Sequence, residues 1–385
     1  MNMNSLKNLA RRELVDLKQC IHGGEIWEIS QKYKVNVEEI IDFSANINPL
    51  GPSPKSLEAI KSNLENIKFY PDSNSKDLRI AIAKHFKTIK PSNIIVGNGS
   101  TELIYTFTRV FINKGDEAII PIPTFGEYEV AVKEAGGRPV YVELNQEFNI
   151  SPSNLLSRVN YKTKVIFLCN PNNPTGNLMS KRDVLEIVEM ASRRDVLVFI
   201  DEAFMDFIPN EEKFSLISEV RKYWNLFILR SFTKFFGLAG LRIGYGIACE
   251  EMIDLLLKAK IPWNVNYLAQ VAAKAALSDI NYIEETRKLI ARERDFLCRK
   301  LKQIPGLKVY PSHANFILVD LRNTGLTSLQ LKRKLLKYGI LIRDCSSFRG
   351  LDEYYVRIAI RTREENEKLI RIIRKVLEGA LCSRN

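Results

Sequence analysis

The chain has 385 residues, 45% hydrophobic and 26% charged, enough to bury a large core in two domains or one large domain with an appendage. Its net charge of +12 is spread over helical stretches with interleaved Glu, as in residues 284–294, and no basic block interleaved with aromatics or zinc knuckle points to nucleic acid. Six widely spaced cysteines without a Cys-x-x-Cys pair and only three histidines argue against a metal centre. With no signal-type N-terminus and no apolar run of about 18 residues, a cytoplasmic protein with reduced thiols is expected, away from any membrane.

Helical patterning covers residues 6–17 and 25–34 around a His22-Gly23-Gly24 turn. Residues 42–52 follow as an extended, turn-rich segment whose Asn and Ser side chains either satisfy backbone groups or meet a ligand. A helix is predicted over 56–66, after which Pro71 pushes Tyr70 out of helical geometry. A helix at 77–86 and a strand at 93–96 lead into Gly97-Asn98-Gly99-Ser100-Thr101-Glu102 and a helix at 103–111. A strand, a glycine turn with a hydroxyl pair and a helix start make an anion site, because first-turn amides are unpaired. Glu102 stands where a dinucleotide fingerprint needs its third glycine, and no Walker loop occurs.

Short apolar runs at 117–120, 139–142, 164–168, 196–200 and 226–229 alternate with turns and helices. Such runs, rich in β-branched residues and lacking polar alternation, predict an α/β fold with a mostly parallel sheet covered on both faces. Thr101, Phe125, Asn173, Asp201 and Lys234 each fall just beyond a predicted strand, where ligand groups gather in such sheets. The stretch from Ser231 to Arg242 offers the Ser231 and Thr233 hydroxyls, two glycines, an arginine and Lys234 among three phenylalanines. That is the inventory of a phosphate cradle with an amine in it, and a desolvated lysine can hold an aldehyde cofactor. After a break at 262–266, one long helix is predicted over 268–302. Strands at 308–310, 316–319, 340–342 and 355–360, with helices at 329–338 and 364–377, make a smaller α+β layer. The expected division is an N-terminal arm and part of a small domain at 1–65, a large domain at 66–279, and the rest of the small domain at 280–385.

The motif at 170–176, the Asp201-Glu202-Ala203 triplet and the Ser231-to-Arg242 stretch resemble, in order and spacing, the fold-type I pyridoxal-phosphate enzymes of the aspartate-aminotransferase superfamily. The resemblance spans essentially the whole chain. It implies pyridoxal 5'-phosphate as cofactor, a large cofactor-binding domain, a small domain built from both termini, and a homodimer. Carried over, Lys234 would join the cofactor aldehyde, Asp201 would pair with the pyridine nitrogen, Asn173 would bond the phenolic oxygen and Phe125 would stack on the ring. Gly99, Ser100, Thr101, Ser231, Thr233 and Arg242 would hold the phosphate, with Tyr70 reaching it from the other subunit.

Within the superfamily the chain looks similar to the histidinol-phosphate aminotransferases and their relatives, the L-threonine-O-3-phosphate decarboxylases of cobalamin biosynthesis. Three features resemble the decarboxylases: His22-Gly23-Gly24 with residues 42–52; Phe204 where aminotransferases carry Tyr; and residues 342–351 with 356–366, notably Arg361. A small phosphorylated amino acid is therefore the expected substrate, its anionic ends bound by Arg343 and Arg357 with His22 and Asn46 assisting. Surface salt bridges to Asp344 or Glu353 are the alternative for the two arginines. The resulting expectation is decarboxylation of L-threonine O-3-phosphate to (R)-1-amino-2-propanol O-2-phosphate. Histidinol-phosphate amino transfer and L-serine O-phosphate decarboxylation stand as alternatives.

Overall fold

The computed structural model describes residues 3–382. Its strands, in chain order, are β1 Ile41–Phe43, β2 Ile94–Gly97, β3 Glu117–Ile122, β4 Arg138–Glu143, β5 Thr163–Cys169, β6 Leu197–Asp201, β7 Leu226–Ser231, β8 Gly244–Ile247, β9 Lys308–Val309, β10 Phe316–Asp320, β11 Ile340–Asp344 and β12 Tyr355–Ala359. Seven form one sheet in the order β2-β8-β7-β6-β5-β3-β4, in which only the pairs made by β8 are antiparallel. Along the central strands alternate side chains enter two different cores. Phe167, Phe199 and Phe227 pack under helices Ser100–Phe111, Glu127–Glu134 and Glu250–Ala259, while Ile166, Val198, Ile200 and Ile228 meet helices such as Lys181–Ser192 on the opposite face. Burial on both faces is why these strands read as continuous apolar runs.

The remaining strands form a second sheet, β1-β11-β12-β10-β9, with β1 parallel to β11 and the other pairs antiparallel. A strand from near the N-terminus thus completes a layer otherwise built from the C-terminal third. Among the described residues no helix is long and apolar enough to cross a membrane.

Two local expectations are corrected and one strand is added. Residues 268–302 form two helices, Tyr267–Leu277 and Ile280–Lys302. The break falls at Ser278-Asp279, where Lys55 Nζ donates to the Ser278 carbonyl at 2.9 Å and claims an acceptor that would otherwise continue the helix. Residues 6–17 divide into Met3–Leu9 and Arg12–Val15, because Arg11 is extended and its guanidinium donates to the Glu134 carbonyl at 2.5 Å. Strand β8 was not foreseen: its Gly244 and Gly246 suggest a loop, but a Cβ at Gly246 would strike the Phe227 ring and one at Gly244 the Ser100 amide, so tight packing selects glycine inside a strand.

Candidate active site

The carboxyl ends of β5, β6 and β7 face β11 and β12 across a cavity of about 1170 Å³. Into it project His22, Asn46, Ser100, Thr101, Phe125, Asn173, Asp201, Ser231, Thr233, Lys234, Arg242, Arg343 and Arg357. Gly99 lies in the wall behind Arg242. Tyr70 is elsewhere, 80% exposed and packed on the Trp263 ring at 4.8 Å.

Lys234 follows β7 between the wholly or almost wholly buried rings of Phe232, Phe235 and Phe236. Residues 42–52 lie against it: Asn48 N donates to the Lys234 carbonyl at 3.0 Å and Asn48 Nδ2 to the Phe235 carbonyl at 2.8 Å. Lys234 is partly buried and lines the cavity. Burial, then the charges of Arg357 and Arg242, bring its pKa down to about 8, so near neutrality a useful fraction is the free, nucleophilic base.

Asp201 ends β6 at the same level. Its Oδ2 accepts from the Tyr128 hydroxyl at 2.6 Å and its Oδ1 from the Ala203 amide at 2.9 Å, so it serves as a turn cap and as a buried acceptor at once. Burial nevertheless pushes its pKa up, which marks a carboxylate short of a cation. Tyr128 lies on Phe167 with rings 5.2 Å apart and meets Phe125 edge-on at 5.6 Å, so one buried tyrosine buttresses both Asp201 and Phe125.

Helix Ser100–Phe111 starts after Gly99, whose φ of 80° demands glycine and whose backbone lies close to the Arg242 guanidinium. The helix's first-turn amides at Ser100 and Thr101 open towards the cavity. Beside them stands Arg242, exposed, with an ion pair to no carboxylate among the described residues and only a 3.4 Å contact to the Ala239 carbonyl. A helix start next to a guanidinium without a carboxylate partner attracts anions.

Arg343 and Arg357 occupy directly paired positions on β11 and β12. Both are nearly buried, 5% and 6% exposed, and neither forms the surface salt bridge held open as an alternative. Arg357 donates to Asn173 Oδ1 at 2.5 Å and to the Ser44 carbonyl at 2.7 Å. Arg343 donates to the carbonyls of Ile21 at 2.5 Å and His22 at 3.0 Å and to Ser347 Oγ at 2.9 Å. Two neighbouring guanidinium charges satisfied only by neutral oxygens form a cationic wall, and burial pushes the Arg357 pKa down to about 10. Asn46 Oδ1, in a residue 2% exposed, has no hydrogen-bond partner and lines the same space. A buried acceptor left unpaired is costly unless a ligand supplies a donor.

Sequence reasoning missed Tyr128, Glu127 and Tyr105. The first two sit on helix Glu127–Glu134, which was not foreseen behind the Phe125 turn, and no periodicity marks which of its side chains turn inward. One feature offered for the decarboxylase reads differently in place. Arg361 is held by Glu365 at 2.8 Å and does not line the cavity, whereas Phe204 does line it, packed edge-on against Phe316 at 5.0 Å.

A parallel sheet with a lysine, a carboxylate and a phosphate cradle at its strand ends defines an enzyme class, and residues 38–373 match the model for aminotransferase class I and II. The chain belongs to that family, whose cofactor is pyridoxal phosphate, present in a solved neighbour. The residues here fit the cofactor: an amine lowered towards neutrality, a buried carboxylate lacking a cation, and a helix start beside a free arginine.

Among curated proteins, the chain is 39% identical to the histidinol-phosphate aminotransferase of Methanosphaera stadtmanae over 370 residues, 96% of this chain and 99% of the relative. The solved histidinol-phosphate aminotransferase from Clostridium acetobutylicum matches with a TM-score of 0.82 at 34% identity, over 88% of this chain and 99% of that one. L-threonine-O-3-phosphate decarboxylase from Porphyromonas gingivalis matches with a TM-score of 0.78 at 29% identity, over 87% and 99%. The expectation of threonine-phosphate decarboxylation is overturned by these likenesses: the full-length curated relatives are aminotransferases, and the decarboxylase is a structural neighbour at lower identity.

Proposed function

We propose that the protein is a histidinol-phosphate aminotransferase, exchanging an amino group between glutamate and imidazole-acetol phosphate. The observation that carries the reading is the likeness, along nearly the whole chain, to aminotransferases of that specificity. The uncompensated Arg343 and Arg357 support it, because both substrates carry anionic ends and a planar guanidinium grips carboxylate or phosphate with two parallel bonds.

Pyridoxal phosphate, when bound, supplies an aldehyde for the amine and a ring that takes up electrons released at the substrate α-carbon. The chain does the rest. Lys234 Nζ, mostly uncharged above pH 8, anchors the cofactor and moves the α-carbon proton. Asp201 would pair with the ring nitrogen, and Tyr128 keeps that carboxylate in place. Asn173, oriented by Arg357, would offer its amide to the phenolic oxygen, and Phe125 would pack against the ring. The amides and hydroxyls of Ser100, Thr101, Ser231 and Thr233, with Arg242, hold the phosphate. Arg357 and Arg343 fix the substrate's ends and so decide which α-carbon substituent faces Nζ. For glutamate, whose α-carbon also carries a carboxylate, presenting C–H there selects proton transfer over loss of carbon dioxide. Tyr70 reaches the cradle from a second copy, so a homodimer is part of the proposal.

Incubation of the purified, cofactor-loaded protein with histidinol phosphate and 2-oxoglutarate should yield glutamate. No glutamate from protein that has taken up its cofactor would overturn the assignment.

A further inference from the structure

Glu127 is a buried carboxylate that neither the cradle nor the arginine pair uses. It is 7% exposed, its Oε2 accepts from the Tyr105 hydroxyl at 2.5 Å, and its Oε1 lies 2.7 Å from His22 Nε2. These residues join three separate parts of the site. Tyr105 lies on helix Ser100–Phe111, four residues after Thr101 and so on the same face. Glu127 opens its helix two residues after Phe125, and the His22 ring lies 5.8 Å from the Phe125 ring. The His22 and Ile21 carbonyls are those gripped by Arg343.

An ionised carboxylate survives burial only when it is well partnered. Burial pushes the Glu127 pKa up, but hydrogen bonds from His22 and Tyr105 outweigh it and hold the group below the usual carboxylate range. The neighbouring Cys20 thiol, pushed up to about 12 by burial and by Glu127, stays protonated and adds no charge. A carboxylate at Nε2 holds a proton on that nitrogen, so when the ring carries a single proton Nδ1 is the acceptor. The His22 side chain is 44% exposed and lines the cavity.

We propose that Glu127 is a positioning residue acting through His22: it locks the Nε2–H tautomer so that Nδ1 accepts from a donor on the side chain of the phosphorylated substrate. The substrate named here rests on the amino-transfer reading. An imidazole-bearing phosphate ester carries a ring N–H for that contact, whereas the glutamate side chain carries no donor, so the dyad separates the two half-reactions.

The test is a double-mutant cycle with Glu127→Ala and His22→Ala. Each single variant should raise KM for histidinol phosphate about tenfold, the value of one well-placed hydrogen bond, and by a clearly larger factor than it raises KM for glutamate. The double variant should be no worse than His22→Ala, and Glu127→Gln, which keeps an acceptor oxygen, should recover part of the loss. Additive losses in the double variant, or equal rises in both KM values, overturn the proposal. A readout independent of turnover is available because the chain has only three histidines. In protein labelled with nitrogen-15 histidine, His22 should be the Nε2–H tautomer, redistributed in Glu127→Ala. An Nδ1–H tautomer in the unaltered protein overturns the positioning role, whereas failure to transfer amino groups with the Nε2–H tautomer present overturns only the substrate assignment.

Discussion

Lys234 becomes reactive through its surroundings rather than through its neighbours in sequence. Burial and the two nearby guanidinium groups place its pKa about 8, so the fraction of free amine rises through that pH and levels above it. Capture of pyridoxal phosphate, followed by its visible absorbance, should accelerate with pH up to that point and then plateau. Arg357→Met removes the larger of the two cationic contributions and should move the midpoint upward, and Lys234→Ala should abolish both capture and turnover. Arg343→Met should leave cofactor uptake intact while raising KM for the phosphorylated substrate by roughly 30-fold or more, the scale of a lost charge-assisted contact. Steady-state kinetics on cofactor-loaded protein checks it. Lys234, Asp201 and Arg242 could be singled out from sequence because each lies in a short motif at a strand end. Tyr128 and Glu127 could not, because their importance comes from what they touch.

The ends of β6 and β7 are braced from below by a buried ionic cluster. Arg230, fully buried and one residue before Ser231, meets Glu202 at 2.8 Å, Asp206 at 3.1 Å and Glu211 at 2.7 Å. Glu202 directly follows Asp201, so the cluster fixes the two strand ends that carry the carboxylate and the lysine loop. Arg287 joins the cluster at 3.3 Å from Glu211, so three carboxylates face two guanidinium groups and negative charge is in excess. Burial first, offset in part by Arg230, raises the Asp206 pKa to about 7. The unfolded chain would titrate near 3.9. Between those values the folded state binds more protons, so this group's contribution to stability falls as pH rises across the window and is flat above it. Asp206→Asn should flatten that slope by at most a few kcal/mol, as urea unfolding at a series of pH values would show. Arg230→Met should cost about 3–5 kcal/mol by leaving the carboxylates unpaired. The sequence showed the Asp201-Glu202 pair but offered no sign that the second carboxylate turns away from the cavity to a structural partner.

At the scale of the whole molecule, Leu64, Ile67, Phe69, Tyr70 and Trp263 are each about half exposed or more. Apolar side chains of this size gathered around Tyr70 suit the second copy proposed above. Sedimentation should show a dimer, and Ile67→Glu should shift it towards monomer with weaker retention of the cofactor, because Tyr70 would then be lost from the partner's cradle. The unbroken apolar runs were enough to predict a mostly parallel, doubly covered sheet, and the order of motifs to place Lys234 beyond one of its strands, because backbone pairing and burial on both faces leave a direct mark on composition. Which charges stand unpaired was decided only in three dimensions. Arg343, Arg357 and Arg361 look alike along the chain, yet the first two face the cavity with neutral partners and the third is neutralised by Glu365. The break at Ser278-Asp279 and the β8 strand were likewise settled by contacts from distant residues. Electrostatics and close packing depend on neighbours brought together by folding, and local pattern carries little trace of them.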